Sequence, residues 1–486
     1  MSIKKLAGDF AFYGIIDLIQ RSVSLILVPF YTRILDQKDF GKLDMLLILL
    51  SVLSVLIDFQ FISGISRLYL EFVSKGLGDR FGGTVIFFRF MVGLCLAILI
   101  SIFGMGGFLE FNFMPSFLEN KIPWVLILVF VPVSISFDAL IMQARMLRAK
   151  IPFASGALLS TIFTSLGSVI TTVLLGWGIT GVIATMLAGK IIGGLIVYVG
   201  LGNKIQLCID RQILKPLFAY CVPLIPGWWL GFSATYVGRF FVYGILGPED
   251  SALLAVSMKI QNLIGLFAIS FRSAWLPLAM TYIEDKDGDT FYVSTMRLFM
   301  SGGFLMTFLL TLFIHPLLAI FAPSTYHDVG ITFALFSIGC IIGECESNLQ
   351  LGCQLAKKTI WITVGSFVSF LISILILSMY TSQLGITAAG LALLLSAIGR
   401  IVVTYFSSQY YRFIPYDMKS FLMFGLGCIV LLFNAQMNQI LSIPTIFWQG
   451  ILFFVGLFFS IKMLSSSEIQ AMIRVFQSLK LKFRSL

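Results

Sequence analysis

Residues 83–109 read GTVIFFRFMVGLCLAILISIFGMGGFL, twenty-seven residues with a single charge, Arg89. A helix of about 20 apolar residues crosses the roughly 30 Å hydrocarbon core of a bilayer, so this stretch predicts a transmembrane helix. It is apolar on every face. A membrane barrel strand would alternate apolar and polar residues over about ten positions, and that pattern is missing here. Runs of the same kind precede it at 10–34 and 43–72 and follow it at 122–146, 154–176 and 179–200. A second series covers 213–243, 251–282, 292–320, 328–354, 359–380 and 385–410, and two more runs lie at 418–436 and 442–464. The expected fold is an all-α polytopic membrane protein of about 14 transmembrane helices.

Composition agrees. The 486 residues are 58% hydrophobic and only 12% charged, about half the charge of an ordinary soluble chain. Mean hydropathy is +0.99. This excludes a soluble globular enzyme. The net charge of +10 is read as cationic loops on one side of a membrane, with no nucleic acid partner. Of 33 Lys and Arg, twenty fall in loops or the tail on the N-terminal side, among them Lys4, Lys5, Arg148, Lys150 and Lys358. Four, Arg33, Lys38, Lys42 and Lys121, fall on the other side. That asymmetry predicts two cytoplasmic termini and therefore an even number of spans. Lys4 and Lys5 lead into a first span carrying Asp17 and Arg21, which reads as a retained helix rather than a cleaved signal. From 465 to 486, Ile469, Met472, Ile473, Phe476, Leu479 and Phe483 share one helical face among basic residues. That tail is expected to lie on the anionic lipids of the inner leaflet.

The chain repeats itself. Arg89 recurs as Arg297, Asp138 as Glu346, and Ala149-Lys150 as Lys357-Lys358, each 208 residues on. Gly189-Lys190-Ile191 recurs as Gly399-Arg400-Ile401, and Ile34-Leu35 with its polar turn recurs at Ile245-Leu246. Two homologous six-helix lobes are expected, 1–202 and 203–413, followed by two additional helices in 414–464 and the cytoplasmic tail 465–486. An even number of spans per lobe makes them parallel repeats with a cavity between them.

Nine cations remain inside spans: Arg21, Arg67, Arg89, Lys190, Arg239, Lys259, Arg272, Arg297 and Arg400. Each costs about 2.5–3.5 kcal/mol at a bilayer centre, so such residues face protein or water. Arg67, Arg89, Arg239 and Arg297 lie near a membrane surface and can snorkel. Arg21, Lys190 and Arg400 lie near mid-membrane and Lys259 and Arg272 between, which points to an interior role. The acids are Asp17, Asp58, Glu71, Asp138, Glu344 and Glu346. Asp17/Arg21 and Arg67/Glu71 have the i,i+4 spacing of ion pairs. Asp17, Asp58, Asp138, Glu344 and Glu346 are the ion-coupling candidates. Each suits a coupling ion or, equally, a basic side chain. With cations in excess, an anionic substrate is the natural expectation. Pro216, Pro223 and Pro226 in span seven predict a kink.

No phosphate-binding loop, catalytic triad or metal-ligand cluster is visible, and the seven cysteines include no C-x-x-C pair. No cofactor is expected, and no enzymatic activity. A transporter driven by a gradient or by substrate mass action fits.

Leu35-Asp36-Gln37-Lys38-Asp39-Phe40-Gly41, closing span one, resembles the L-G-x-x-x-[YF]-G segment of Wzx-type polysaccharide flippases, departing from it at Asp36. These are members of the multidrug/oligosaccharidyl-lipid/polysaccharide exporter superfamily. The second copy, Leu246-Gly247-Pro248-Glu249-Asp250, departs at Ser251-Ala252. The resemblance implies two six-helix lobes in a V, alternating access, and a bacterial inner-membrane location. It implies an undecaprenyl-diphosphate-linked oligosaccharide as substrate, membrane lipids around it, and a polysaccharide polymerase and chain-length regulator as partners. By the same resemblance, spans one, two, seven and eight line the path, which adds Arg21, Arg67, Arg239, Lys259 and Arg272 to Lys190 and Arg400 as substrate-binding residues. A drug or metabolite exporter of the superfamily is the alternative, and an acidic pocket would mark it. A non-transporting assembly subunit is the other, and large outer loops would mark that.

Overall fold

A computed structural model describes residues 3–105, 121–202, 205–281, 288–326, 329–356, 358–440 and 445–470. Among them every regular element is helical. Span one is α1 (Ile3–Ile26) and α2 (Val28–Ile34), parted just before Pro29, and span two is α3 (Gln37–Asp58) and α4 (Phe61–Ser74). Then come α5 (Gly78–Met105), α6 (Lys121–Met146), α7 (Lys150–Val173) and α8 (Gly178–Leu201). Span seven is α9 (Arg211–Cys221), a 3₁₀ turn at Val222–Leu224 and α10 (Ile225–Ile245). The break falls at Pro223, whose ring and missing N–H disfavour a continuing helix, while Pro216 is accommodated inside α9. The second half comprises α11 (Pro248–Thr281), α12 (Gly288–Leu312), α13 (Ile314–Phe321), α14 (Gly330–Leu349), α15 (Leu351–Leu355), α16 (Ile360–Leu384) and α17 (Thr387–Tyr411). Finally α18 (Met418–Ile440) and α19 (Thr445–Met463) extend it.

Thirteen helical stretches among the described residues are long and apolar enough to cross a membrane, and Gln449–Met463 is a shorter apolar helix at the fourteenth expected place. The protein is an all-α, multi-pass membrane protein. The acidic loop 284–287 and tail residues 471–486 lie outside the described residues, so the interfacial tail is seen only at its start, 465–470.

The chain forms two compact units, Met1–Phe232 with Tyr243–Ala252, and Ser233–Val242 with Leu253–Leu486. In the first, α7 and α8 are the most closely paired helices. Small residues make this seam: a side chain at Gly156, Gly189 or Gly193 would collide with the opposite helix. In lipid, where apolar surface gains little by leaving the solvent, such close backbone approach supplies the packing energy. In the second unit α16 and α17 pair in the same way, with Gly365 against Thr404 and Gly399 against Ile372. The two pairs stand at matching places in the repeat.

The copies of the duplicated turn touch each other within the first unit. Asp36 caps α3 by accepting the Asp39 amide at 2.7 Å. Gln37 donates to the Glu249 carbonyl at 3.1 Å, and Gly41 lies flat against the Pro248 carbonyl, where any Cβ would collide. The glycine that ends the motif is there for that contact. In the second unit α18 and α19 are fastened to α12. Ser301 and Ser460 hydroxyls meet at 2.8 Å, and Gly427 and Gly456 receive the rings of Phe304 and Phe308.

Candidate functional site

Several of the intramembrane charges form ion-paired clusters, one in each unit. In the first unit, α8 carries Lys190 and α6 carries Asp138, and their charged atoms lie 3.6 Å apart. Lys190 also faces the rings of Phe137 and Phe130, at 5.2 and 5.9 Å, so its ammonium is held by a carboxylate and two π faces. One helix over, Arg89 of α5 meets Asp58, the last residue of α3, at 2.5 Å. Arg89 is only 2% exposed, so the snorkelling expected of it does not occur; it is buried in an ion pair.

The second unit repeats the motif with different residues. Arg400 of α17 meets Glu346 of α14 at 2.6 Å, and Arg272 of α11 meets Glu344, two residues earlier, at 3.3 Å. Asp138 and Glu346 were matched in the sequence, as were Lys190 and Arg400, and each matched pair of residues forms an interhelical ion pair. The two copies differ in depth. Glu346 is 3% exposed, with Oε1 lacking a donor among the described residues, whereas Asp138 is 45% exposed.

Two expected pairs are exchanged for others. Asp17 accepts from Arg145 at 3.0 and 3.1 Å instead of from Arg21 in its own helix. Arg145, counted as a loop cation in the sequence, sits in the last turn of α6 over the rings of Tyr13 and Phe153, which themselves meet edge to face. Glu71 bonds Lys75 at 2.7 Å instead of Arg67, and both partners are exposed. Arg297 does not snorkel; it binds Glu468 at 2.8 Å and lies 3.7 Å from Asp417.

Of the remaining cations, Arg21 and Arg67 are exposed on α1 and α4. Arg239 is buried, its Nε 3.1 Å from the Met258 sulfur and its guanidinium 5.7 Å from the Tyr236 ring. It walls a small cleft together with Thr235, Phe336, Ser373 and Ala389. Lys259 is half-buried on α11. An accessible guanidinium is therefore presented by Arg21, Arg67 and, at 42% exposure, Arg272. The interhelical pairings were not legible in the sequence because the partners lie 31 to 128 residues apart on separate helices.

This is a polytopic helical membrane protein. Residues 6–282 match the polysaccharide biosynthesis protein family, more than half the chain, and the chain belongs to that family. No curated protein sequence matches it. Among solved structures it is similar to the lipid II flippase MurJ in an inward closed conformation. That match has TM-score 0.67 and 16% identity and covers 96% of this chain and 100% of that one. It is also similar to an inward-facing multidrug resistance MATE family transporter of the MOP superfamily, with TM-score 0.56, 15% identity and coverage of 80% and 94%. A MATE in complex with MaD5 matches with TM-score 0.59, 11% identity and coverage of 83% and 95%. At such identities the likeness concerns the fold. Family and fold together support the resemblance to Wzx-type flippases drawn from Leu35–Gly41.

Proposed function

We propose that this protein is a flippase for undecaprenyl-diphosphate-linked oligosaccharide repeat units. It carries them by alternating access from the cytoplasmic to the periplasmic leaflet of a bacterial inner membrane, for O-antigen or a related surface polysaccharide. One observation carries the reading: a chain of the polysaccharide biosynthesis family has the fold of a lipid II flippase over 96% of its length. The loop charges support cytoplasmic termini, since twenty Lys and Arg lie on the N-terminal side against four on the other.

Pairing narrows the choice of residues that meet the substrate. Lys190 and Arg400 already have carboxylates, so they are better suited to setting helix positions than to binding. Arg21, Arg67 and Arg272 keep accessible guanidinium groups, whose planar fork suits the oxygens of a diphosphate. Glu344 holds Arg272 at 3.3 Å and would yield it to a ligand of higher charge. Between the repeat-matched acids, Asp138 is favoured for ion coupling, because its carboxylate is the more accessible and its cation the more distant. A polymerase and a chain-length regulator would be the partners of such a flippase. Replacing Arg21 or Arg272 by Ala should stop glycan export while Lys at the same place retains part of it. Wild-type export by both Ala variants, at equal protein level, would refute the binding assignment.

The second reading is a drug or metabolite exporter on the same fold, since MATE transporters also match. A cationic drug needs free carboxylates, and here Asp58, Asp138, Glu344 and Glu346 each face a cation.

A further inference from the structure

Span two contains a helix break that its own sequence does not call for. Residues 55–63 read VLIDFQFIS, without glycine or proline, and the whole of 43–72 reads as one span. Yet α3 ends at Asp58 and α4 starts at Phe61, because Phe59 and Gln60 are both left-handed, with φ of 48° and 59°. An L residue in that region brings its Cβ against a carbonyl, so glycine is the usual occupant and consecutive bulky residues are rare. Such a conformation persists only where the surroundings impose it.

The surroundings here belong to span seven. Trp229, after the 3₁₀ turn of that span, donates its indole N–H to the Val55 carbonyl at 3.3 Å. Cys221, before the same turn, directs its thiol at the Gln60 carbonyl at 3.5 Å. The two bonds come from the two sides of one turn and hold the two sides of one break. The Phe218 ring packs on Phe59 and Phe61, at 6.0 and 5.1 Å. Gly64 admits the approach, since a Cβ there would collide with Cys221 and Leu217. On the other flank Arg89 fixes Asp58.

We propose that span two is a two-state helix. It is bent at Phe59–Gln60 while Trp229 and Cys221 hold its carbonyls, and continuous from α3 into α4 when they withdraw. The continuous state returns both residues to the right-handed region and moves α4, with its exposed Arg67, relative to α3. The break in span seven is thereby the control element of span two. This stands independently of which substrate is carried.

Spin labels at Ser51→Cys and Ser74→Cys, both exposed, report the bend in the full chain reconstituted in lipid. The native cysteines are replaced by serine, which keeps a donor at 221. A continuous helix separates these positions by about 35 Å between Cα atoms, and the bent one by less. The bent distance should dominate in this background. Trp229→Phe should raise the 35 Å population about fivefold, the effect of one lost hydrogen bond. Phe59→Gly with Gln60→Gly, which removes the left-handed cost, should suppress it. If Trp229→Phe fails to accumulate, Cys221→Ala in place of the serine, which removes the second donor, is read the same way. An unchanged bent distance on loss of either donor would overturn the proposal, as would a 35 Å population enlarged by the glycines.

Discussion

Arg400 and Glu346, and Lys190 and Asp138, are one ion pair drawn twice at different depths. In the deep copy the carboxylate is buried, 3% exposed against 29% for its arginine. Removing one partner of a buried pair leaves the other uncompensated, at a cost of about 3–5 kcal/mol. Arg400→Ala, which strands a Glu346 only 3% exposed, should therefore markedly lower the melting temperature in detergent. Lys190→Ala strands an Asp138 that is 45% exposed and can be hydrated, so its loss should be about 1 kcal/mol or less. Glu346→Gln combined with Arg400→Gln should recover part of the deep loss. Equal shifts for the two single variants would show that depth does not set the cost. The sequence marked all four residues as charges in the wrong solvent and matched them across the repeat. It could not say that each cation belonged to the matched acid, because that depends on how α6 meets α8 and α14 meets α17.

Helices in this chain were legible where hydropathy alone defines them and hidden where tertiary contacts override it. The spans near 154–176 and 359–380 emerge as α7 and α16 within a few residues. Pro223 announces the break in span seven, whereas nothing in 55–63 announces the one in span two, which is imposed from outside. A local rule does reappear where the tail begins. Ser465 and Glu468 form a capping box, the Glu468 amide reaching the Ser465 hydroxyl at 3.3 Å and the Ser465 amide reaching the Glu468 carboxylate at 2.8 Å. Glu468 also accepts from Arg297. Burial pushes its carboxyl up, but the Arg297 hydrogen bonds and the Ser465 amide outweigh this and hold it below the ordinary value of 4.5. A depressed pKa contributes stability in full above the unfolded value and loses it as pH falls through the folded one. Order at 465–470 should thus be constant above about pH 5 and fall at more acidic pH. Hydrogen exchange of those amides measures it. Glu468→Gln should show fast exchange already at neutral pH, and wild-type protection persisting in that variant would remove Glu468 from the anchor.

At the scale of the molecule, the two units share features at the places the sequence matches between halves. The paired helices α7/α8 and α16/α17 and the ion pairs of Lys190 and Arg400 stand at matching sequence positions, and the two turns of similar sequence meet at Gly41 and Pro248. Arg89 and Arg297, matched in the sequence, have different partners. The first is neutralised by Asp58 in span two, the second by Glu468 and Asp417, residues outside the repeat. The residues flanking α18 and α19 are thus tied to α12 through Arg297. Gly41→Val should disrupt the contact between the turns and reduce both accumulation and transport, read by membrane protein level and glycan export. Normal values of both would show that the close approach is dispensable. We propose that this architecture moves a lipid-linked glycan across the membrane. Deletion of the gene in its own host, followed by assay of both leaflets for undecaprenyl-diphosphate-linked repeat units, checks this. Accumulation on the cytoplasmic leaflet, cleared when the gene is restored, is the expected result; an unchanged distribution between leaflets would refute a flippase role.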